Sequence, residues 1–406
     1  MRLLRNYARR YIPSNSIKSD LVIKCITTRN KSNYLQSISM HHRPLSGNND
    51  KIFKAAGSKD FRLSNDPKLL IEPWGTAASG GIPQHECFCP VCRAAWEDPK
   101  HRRNMTTFRV SSSLDDYYKI VFFDSGPDLR HQMIEANVPP YRATSETGWR
   151  ETRTDCIFLT HGHYDHSAGL GLYSTGRAFK RPVYAPKDLI DMMFGTNENP
   201  GWYAKLGRLD ESYVKPVPLK DGDVQIVLDD TLKVEAFEVP HTDRVGERYH
   251  PSRTFGYDAT YLPNGKRFVF TPDIKELTDE AIKHIEGADL YVMDGTFWSE
   301  DELEKTTNGK IKFTSTQLGH VPIGEGKKST GLGSLQSQEW AKKFRSSLEI
   351  LDEVIVGHVL FNHFNHSNPA INPKTVKEYQ SKLDEINTKY KKPKFSFAKD
   401  YIKIHL

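Results

Sequence analysis

The segment Thr160–Leu170, THGHYDHSAGL, places His161, His163, Asp165 and His166 within six positions. Imidazoles and carboxylates suit zinc, manganese or iron, and nothing in this set demands thiolate. Four such groups so close together point to a metal site. Just upstream, DCIFLT is an apolar, β-branched run that reads as a buried strand, and downstream SAGLGLYS is small and helix-compatible. The histidines therefore fall on the turn that ends a strand, a usual place for chemistry. His161 and His163 can face one point of an extended turn, and Asp165 and His166 a second.

A second cluster, Cys87, Cys89 and Cys92, has C-x-C-x-x-C spacing and follows a glycine-bearing stretch that lets the backbone fold tightly. Three thiolates on one loop suit a structural zinc. A closed zinc site takes four ligands, so one more must come from elsewhere, either the adjacent His85 or a distant histidine. A thioredoxin-type redox pair fits poorly, because there is a third cysteine and no helix-initiating context is expected. Cys25 and Cys156 are expected to be unpaired, with no disulfide framework.

Other strands must bring further ligands. LKVEAFEVPHT alternates like a strand and ends at His241, and KRFVFTPDIKEL ends at Asp273. EVIVGHVLFNHFNHSNP reads as a strand ending near His358, His363 and His366, and STQLGHVPI puts His320 after a loop. VMDGTFW ends another buried strand at Asp294, expected to bond a ligand histidine or shape the pocket; Phe297 and Trp298 serve as pocket wall or core. Residues Phe194–Tyr213 read as a lid or a surface insertion. Residues Asp243–Arg253 offer arginines to an anionic substrate.

The 406-residue chain carries a net charge of +6, distributed unevenly. Residues 1–49 hold nine lysines and arginines against one acid, Asp20, which leaves the rest near neutral and removes the support for nucleic-acid binding. The leader MRLLRNYARRYIPSNSIKS has the composition of a mitochondrial transit peptide; a disordered basic arm on a cytoplasmic protein is the alternative. The expected organisation is a basic, disordered leader over 1–50, a linker over 51–67 and one domain over 68–406. No apolar run reaches the roughly 20 residues of a membrane span.

Together, H-x-H-x-D-H, a later His, a later Asp and a terminal His resemble the metallo-β-lactamase superfamily of dinuclear metal hydrolases, over about residues 68–372. VFFDSG, Val121–Gly126, resembles that superfamily's strand-plus-Asp-Gly element, which implies that Asp124 orients metal ligands. GTAASGGIPQHECFCPVCRAA, GPDLRHQM, DGTFWSEDEL, GHVPI and NHFNHSNP resemble, in the same order, the PQQ (pyrroloquinoline quinone) biosynthesis protein B family. The cysteine loop also resembles the cyclic phosphodiesterase of the C–P lyase pathway, a relative of tRNase Z, which completes its zinc with a His three residues after its last catalytic ligand. That likeness implies His363 as a catalytic ligand and His366 as the fourth ligand of the cysteine zinc. In contrast to many PQQ-B members, the chain keeps every ligand of a two-metal hydrolase.

The resemblance implies an α/β fold, a four-layer αβ/βα sandwich of two mixed sheets with metals at the strand-end edge. His161, His163 and His241 are expected on one metal, Asp165, His166 and His363 on the other, and Asp273 between them. Two metals about 3.5–4 Å apart can hold and activate a hydroxide for attack on phosphorus or a carbonyl. Asp165 serves the catalytic centre and His320 is the expected general acid. The cofactors expected are two catalytic divalent metals (zinc or manganese, with iron compatible) and one structural zinc. The expected function is a phosphodiesterase acting on a small anionic, cyclic or open diester. The alternatives are a PQQ-B-like iron-dependent oxidase or hydroxylase and a non-catalytic scaffold. No membrane or nucleic-acid partner is expected, and a homodimer is left open.

Overall fold

A computed structural model describes residues 68–112, 119–138, 153–175, 180–195, 199–207, 214–241, 253–326, 345–392 and 394–406. The leader, the linker, Cys25, residues 242–252 and most of the loop after Val321 lie outside the described residues. So do parts of the 194–213 segment.

The first half of the described chain builds one sheet in almost sequential order. Strands β1 (Leu69–Gly75), β2 (Thr107–Ser112), β3 (Ile120–Phe123), β4 (Thr154–Phe158), β5 (Arg181–Pro186) and β6 (Val214–Leu219) lie side by side. The second half repeats the scheme with β7 (Val224–Val227), β8 (Leu232–Val239), β9 (Thr254–Tyr261), β10 (Lys266–Thr271), β11 (Leu290–Asp294), β12 (Val359–Asn362) and β13 (Phe395–Phe397). Strand β14 (Ile404–His405) returns to pair with β1, so among the described residues each sheet has seven strands. Each sheet starts with antiparallel pairs and ends with parallel ones, β3 to β6 in the first and β10 to β13 in the second. Parallel neighbours send their C-terminal ends to the same edge, and β8, two antiparallel steps from β10, ends there too.

Strand β3, IVFF, shows why the sheets stack. All four residues are buried, as expected for a strand covered on both faces. Phe123 faces the second sheet, where its ring lies 5.4 Å from Phe268 and 5.7 Å from both Tyr257 and Phe270. Phe122 faces outward and packs with Leu129, Leu189 and Met193 of the helices Leu129–Glu135 and Lys187–Phe194. Outside the second sheet, Ala281 and Ile285 of helix Asp279–Ile285 and Leu383 of helix Val376–Asn387 join the core. The result is the expected four-layer α/β sandwich, and no helix among the described residues is long and apolar enough to cross a membrane.

Two sequence expectations change. A helix does begin in the cysteine loop, at Pro90–Glu97, with Cys89 as its N-cap accepting from the Cys92 N–H and proline in its first turn. A thiolate here replaces the usual hydroxyl cap, and proline fits the first turn because its missing N–H has no helical partner there. The strand near residue 358 is also shorter than its sequence suggests. Val354 to Gly357 are outside any strand, so His358 precedes β12 and bonds the Ser396 hydroxyl at 2.7 Å, away from the strand-end edge.

Candidate metal centre

The ligand candidates come from strand ends. After β4 the chain turns through His161 and His163 into the short helix Tyr164–Ser167, which carries Asp165 and His166. His241 follows β8, Asp273 follows β10 and His363 follows β12. Close packing of the loops is needed to seat the first motif. A Cβ on Gly126 would lie 2.7 Å from the Asp165 carbonyl oxygen, and one on Gly169 would lie 2.3 Å from the Gly126 carbonyl. Glycine at both positions lets the loop after β3 reach the histidine loop. Across the sheets, the Phe255 N–H donates to the Thr160 carbonyl at 2.9 Å, tying β9 to the same turn.

The fold brings all seven predicted ligands together. One group joins His161, His163, His241 and Asp273, another joins Asp165, His166 and His363, and within each the ligand atoms lie within 4.8 Å of one another. His161 Nε2 is 2.8 Å from His163 Nδ1. Asp165 Oδ2 is 3.0 Å from His363 Nε2 and 3.5 Å from His166 Nε2, and the two imidazole nitrogens are 3.1 Å apart. Asp273 Oδ2 is 3.4 Å from His161 Nε2, 3.5 Å from His166 Nε2 and 3.6 Å from His241 Nε2. It therefore sits between the two groups, as a bridging carboxylate would. Bonds of about 2.0–2.2 Å in tetrahedral geometry place ligand atoms roughly 3.3–3.6 Å apart, close to these spacings. The donor set asks for an ion in a second way: His241 Nε2 is buried without a hydrogen-bond partner, which is costly unless something fills the place.

The far nitrogens of four of the rings are held by acceptors. His166 Nδ1 meets Asp124 Oδ2 at 2.7 Å, His161 Nδ1 meets Thr160 Oγ1 at 2.9 Å, His241 Nδ1 meets the Gly319 carbonyl at 2.8 Å and His363 Nδ1 meets Thr296 Oγ1 at 2.8 Å. Such partners fix ring orientation and leave Nε2 free to coordinate. Asp124 is itself held, with Oδ1 accepting from the Thr160 N–H and hydroxyl. Burial holds His241 at about 4 and, with the neighbouring His166, keeps His161 well below its usual value. Both rings are therefore neutral near pH 7, the form that binds metal. Burial alone would also lower His166, but the carboxylates of Asp273, Asp124 and Asp165 outweigh it and favour positive charge there.

His320 lies beside this cluster, grouped with Asp273 and His363. Its Nδ1 is 2.8 Å from Asp294 Oδ2, so Asp294 holds His320 rather than a ligand histidine. Phe297 lies against the His320 ring at 5.7 Å, whereas Trp298 is core, packed edge-on to Tyr379 at 4.7 Å. The supporting residues missed in the sequence are Thr160, Thr296 and the Gly319 carbonyl. Only Thr296 left a trace, as the polar residue two places after a strand-end aspartate.

The cysteine cluster closes with a distant histidine. His366 Nδ1 is 3.5 Å from Cys87 Sγ and 3.3 Å from Cys89 Sγ, and all four side chains group together with Cys92. A tetrahedral zinc with Zn–S near 2.3 Å implies S···N distances of about 3.5 Å. The adjacent His85 is not part of this group; its side chain is 90% exposed and lies 3.5 Å from Glu86. N–H groups of Cys89, Cys92 and Gln84 point at the sulfurs of Cys87, Cys89 and Cys92; the side-chain hydrogen bond from the Cys92 thiol leads the effects that bring Cys89 down to about 3, with the His366 ring and the Cys92 N–H adding to it.

Comparison with known proteins agrees with this architecture. The chain is 28% identical over 316 residues to coenzyme PQQ synthesis protein B of Rhodopseudomonas palustris (strain TIE-1), covering 75% of this chain and 91% of that protein. It is 29% identical over 323 residues to the protein of the same name from Rhizobium meliloti, covering 76% and 91%. The crystal structure of Zn(2+)-bound PqqB from Methylobacterium extorquens superposes with a TM-score of 0.63 at 20% identity, over 83% of this chain and all of that one. A diphosphatase of the PhnP family superposes with a TM-score of 0.51 at 16% identity, over 84% and 97%. The family described as the beta-lactamase superfamily domain matches residues 119–330, and with its two mixed sheets and a histidine–carboxylate cluster at their shared edge the chain belongs to that family.

Proposed function

We propose that the chain is a dinuclear metal-dependent hydrolase acting on a small anionic phosphodiester, with a cyclic diester among the fitting substrates. The observation that carries this reading is Asp273 Oδ2, at 3.4–3.6 Å from three imidazole nitrogens of two ligand groups. Two divalent ions held there would supply a nucleophile from water at neutral pH and offset negative charge on the phosphoryl group. The residues do the rest. Asp124, Thr160, Thr296 and the Gly319 carbonyl hold the ligand rings in one tautomer. His320, backed by Asp294, is placed to give a proton to the leaving oxygen. Burial disfavours the charged imidazole, but Asp294 outweighs it and raises the His320 pKa on balance. That keeps the proton available near neutrality, as a general acid needs. Cys87, Cys89, Cys92 and His366 would hold a structural zinc.

The test is the metal content of the purified protein paired with hydrolysis of bis(p-nitrophenyl) phosphate. About three ions per chain, with turnover lost in His163→Ala, is the expected result. A second reading rests on the two relatives named coenzyme PQQ synthesis protein B: a PQQ-B-like iron-dependent oxidase or hydroxylase. Bound iron, oxygen consumption and no hydrolysis would replace the first reading with the second.

A further inference from the structure

Asp294 and Thr296 lie two residues apart at the end of β11, and both are buried. All four acceptor positions of the Asp294 carboxylate are filled. Oδ1 accepts from the Thr296 N–H at 2.9 Å and the Thr296 hydroxyl at 2.7 Å, and Oδ2 faces the Ile274 N–H at 3.0 Å and His320 Nδ1 at 2.8 Å. A hydroxyl has one proton and two lone pairs. With its proton given to Asp294, Thr296 Oγ1 can only accept from its other neighbours. These are His363 Nδ1 at 2.8 Å and His320 Nδ1 at 3.1 Å.

This arrangement fixes a proton on Nδ1 of both rings. His363 then presents the Nε2 lone pair to Asp165 and His166, which is the second metal position. His363 has another acceptor nearby, Asp273 Oδ1 at 3.1 Å, but that oxygen accepts no hydrogen bond. Without the threonine oxygen, the ring would turn to this bridging carboxylate and both would leave their places. We propose that Thr296 is a positioning residue: one hydroxyl oxygen sets the tautomer of His363 for the second metal and at the same time seats the general acid His320. The inference rests on reading the histidine cluster as a dinuclear centre and assigns its two functions to a shared atom.

The test compares Thr296→Val, which keeps the shape and removes the oxygen, with Thr296→Ser, which keeps the oxygen. Zinc affinity is measured on the metal-stripped full chain by chelator competition, with the cysteine site's zinc as an internal control for folding. In Thr296→Val one ion of the histidine cluster should bind about 10–100-fold more weakly, while the other ion and the cysteine zinc hold, and Thr296→Ser should restore binding. Hydrolysis at saturating zinc should also fall in the valine variant, through His320, and return with serine. Unchanged affinity in Thr296→Val, or equal loss in valine and serine variants, overturns the proposal. The affinity arm decides the role of Thr296 whether or not the wild type hydrolyses a phosphodiester, so its failure is distinct from failure of the hydrolase reading.

Discussion

The two ligand clusters are built in opposite ways. The histidine–carboxylate cluster draws on the ends of four strands, its ligands lie almost wholly inside the protein, and four of its five imidazoles are braced from behind. The cysteine cluster takes three ligands from one six-residue stretch and is supported by backbone N–H groups, with Cys87, Cys89 and His366 only half-buried. The first gathers its side chains into two adjoining groups with His320 beside them; the second forms a single group. On the proposed reading, the cluster that must leave room for a substrate is assembled by the fold, and the one that ties chain to chain is assembled largely by a loop. The regions meet at the segment after β12, where His363 serves one and His366 the other.

Breaking the bridge should separate them most sharply. Asp273→Ala is expected to release both ions of the histidine cluster and reduce hydrolysis to background, with the cysteine zinc retained; elemental analysis reads this directly. Loss of all three ions would show one cooperative unit. Next in size, His320→Ala should lower turnover about 10²–10⁴-fold with metal content unchanged, and unchanged turnover would remove it as the acid. His366→Ala should release the cysteine zinc and lower thermal stability by several kcal/mol while the histidine cluster stays loaded. If the histidine cluster empties instead, the assignment of His366 fails.

The smallest effect concerns the seam between the regions. Buried Glu302 accepts from the Ser367 hydroxyl, next to His366, and from the Trp298 N–H. Burial pushes its carboxyl from 4.5 to about 7. The folded state then holds this proton more tightly than the unfolded chain. Stability from this group is therefore full below pH 4.5 and falls as pH rises toward 7, by roughly 3 kcal/mol. Glu302→Gln should remove that slope in denaturant titrations between pH 5 and 7.5; an unchanged slope would place its origin elsewhere.

Much of this was legible in the sequence for a physical reason. H-x-H-x-D-H is local, and strand runs such as IVFF and KRFVFT announce their own ends, so the candidate ligand residues could be named; the two-sheet class and the sorting of seven residues onto two metals came from the family resemblance. Pairing His363 and His366 with different clusters depended on likeness to other proteins, because three-residue spacing alone assigns neither. Thr296 was missed because its proposed role arises from two tertiary contacts, to His320 and His363, that its position after Asp294 does not reveal. The helix at Pro90 was missed because its cap is a cysteine sulfur rather than the usual hydroxyl, carboxylate or amide oxygen. His358 was misplaced because EVIVGHVLF is apolar throughout, so the sequence marks no boundary inside it.

The sequential strand order has a consequence for how the chain is made. On the ribosome, residues up to Leu219 can pair as six strands before any of the second sheet exists, but β14, which joins that first sheet, emerges only after every strand of the second. His161 to His166 would wait through roughly 200 further residues for His363, and Cys87 to Cys92 longer still for His366. At about 5–20 residues per second this is a delay of ten seconds or more. The group of His161, His163, His241 and Asp273 is therefore complete in the nascent chain well before the group that needs His363, and the three cysteines stay an open thiol set until His366 emerges.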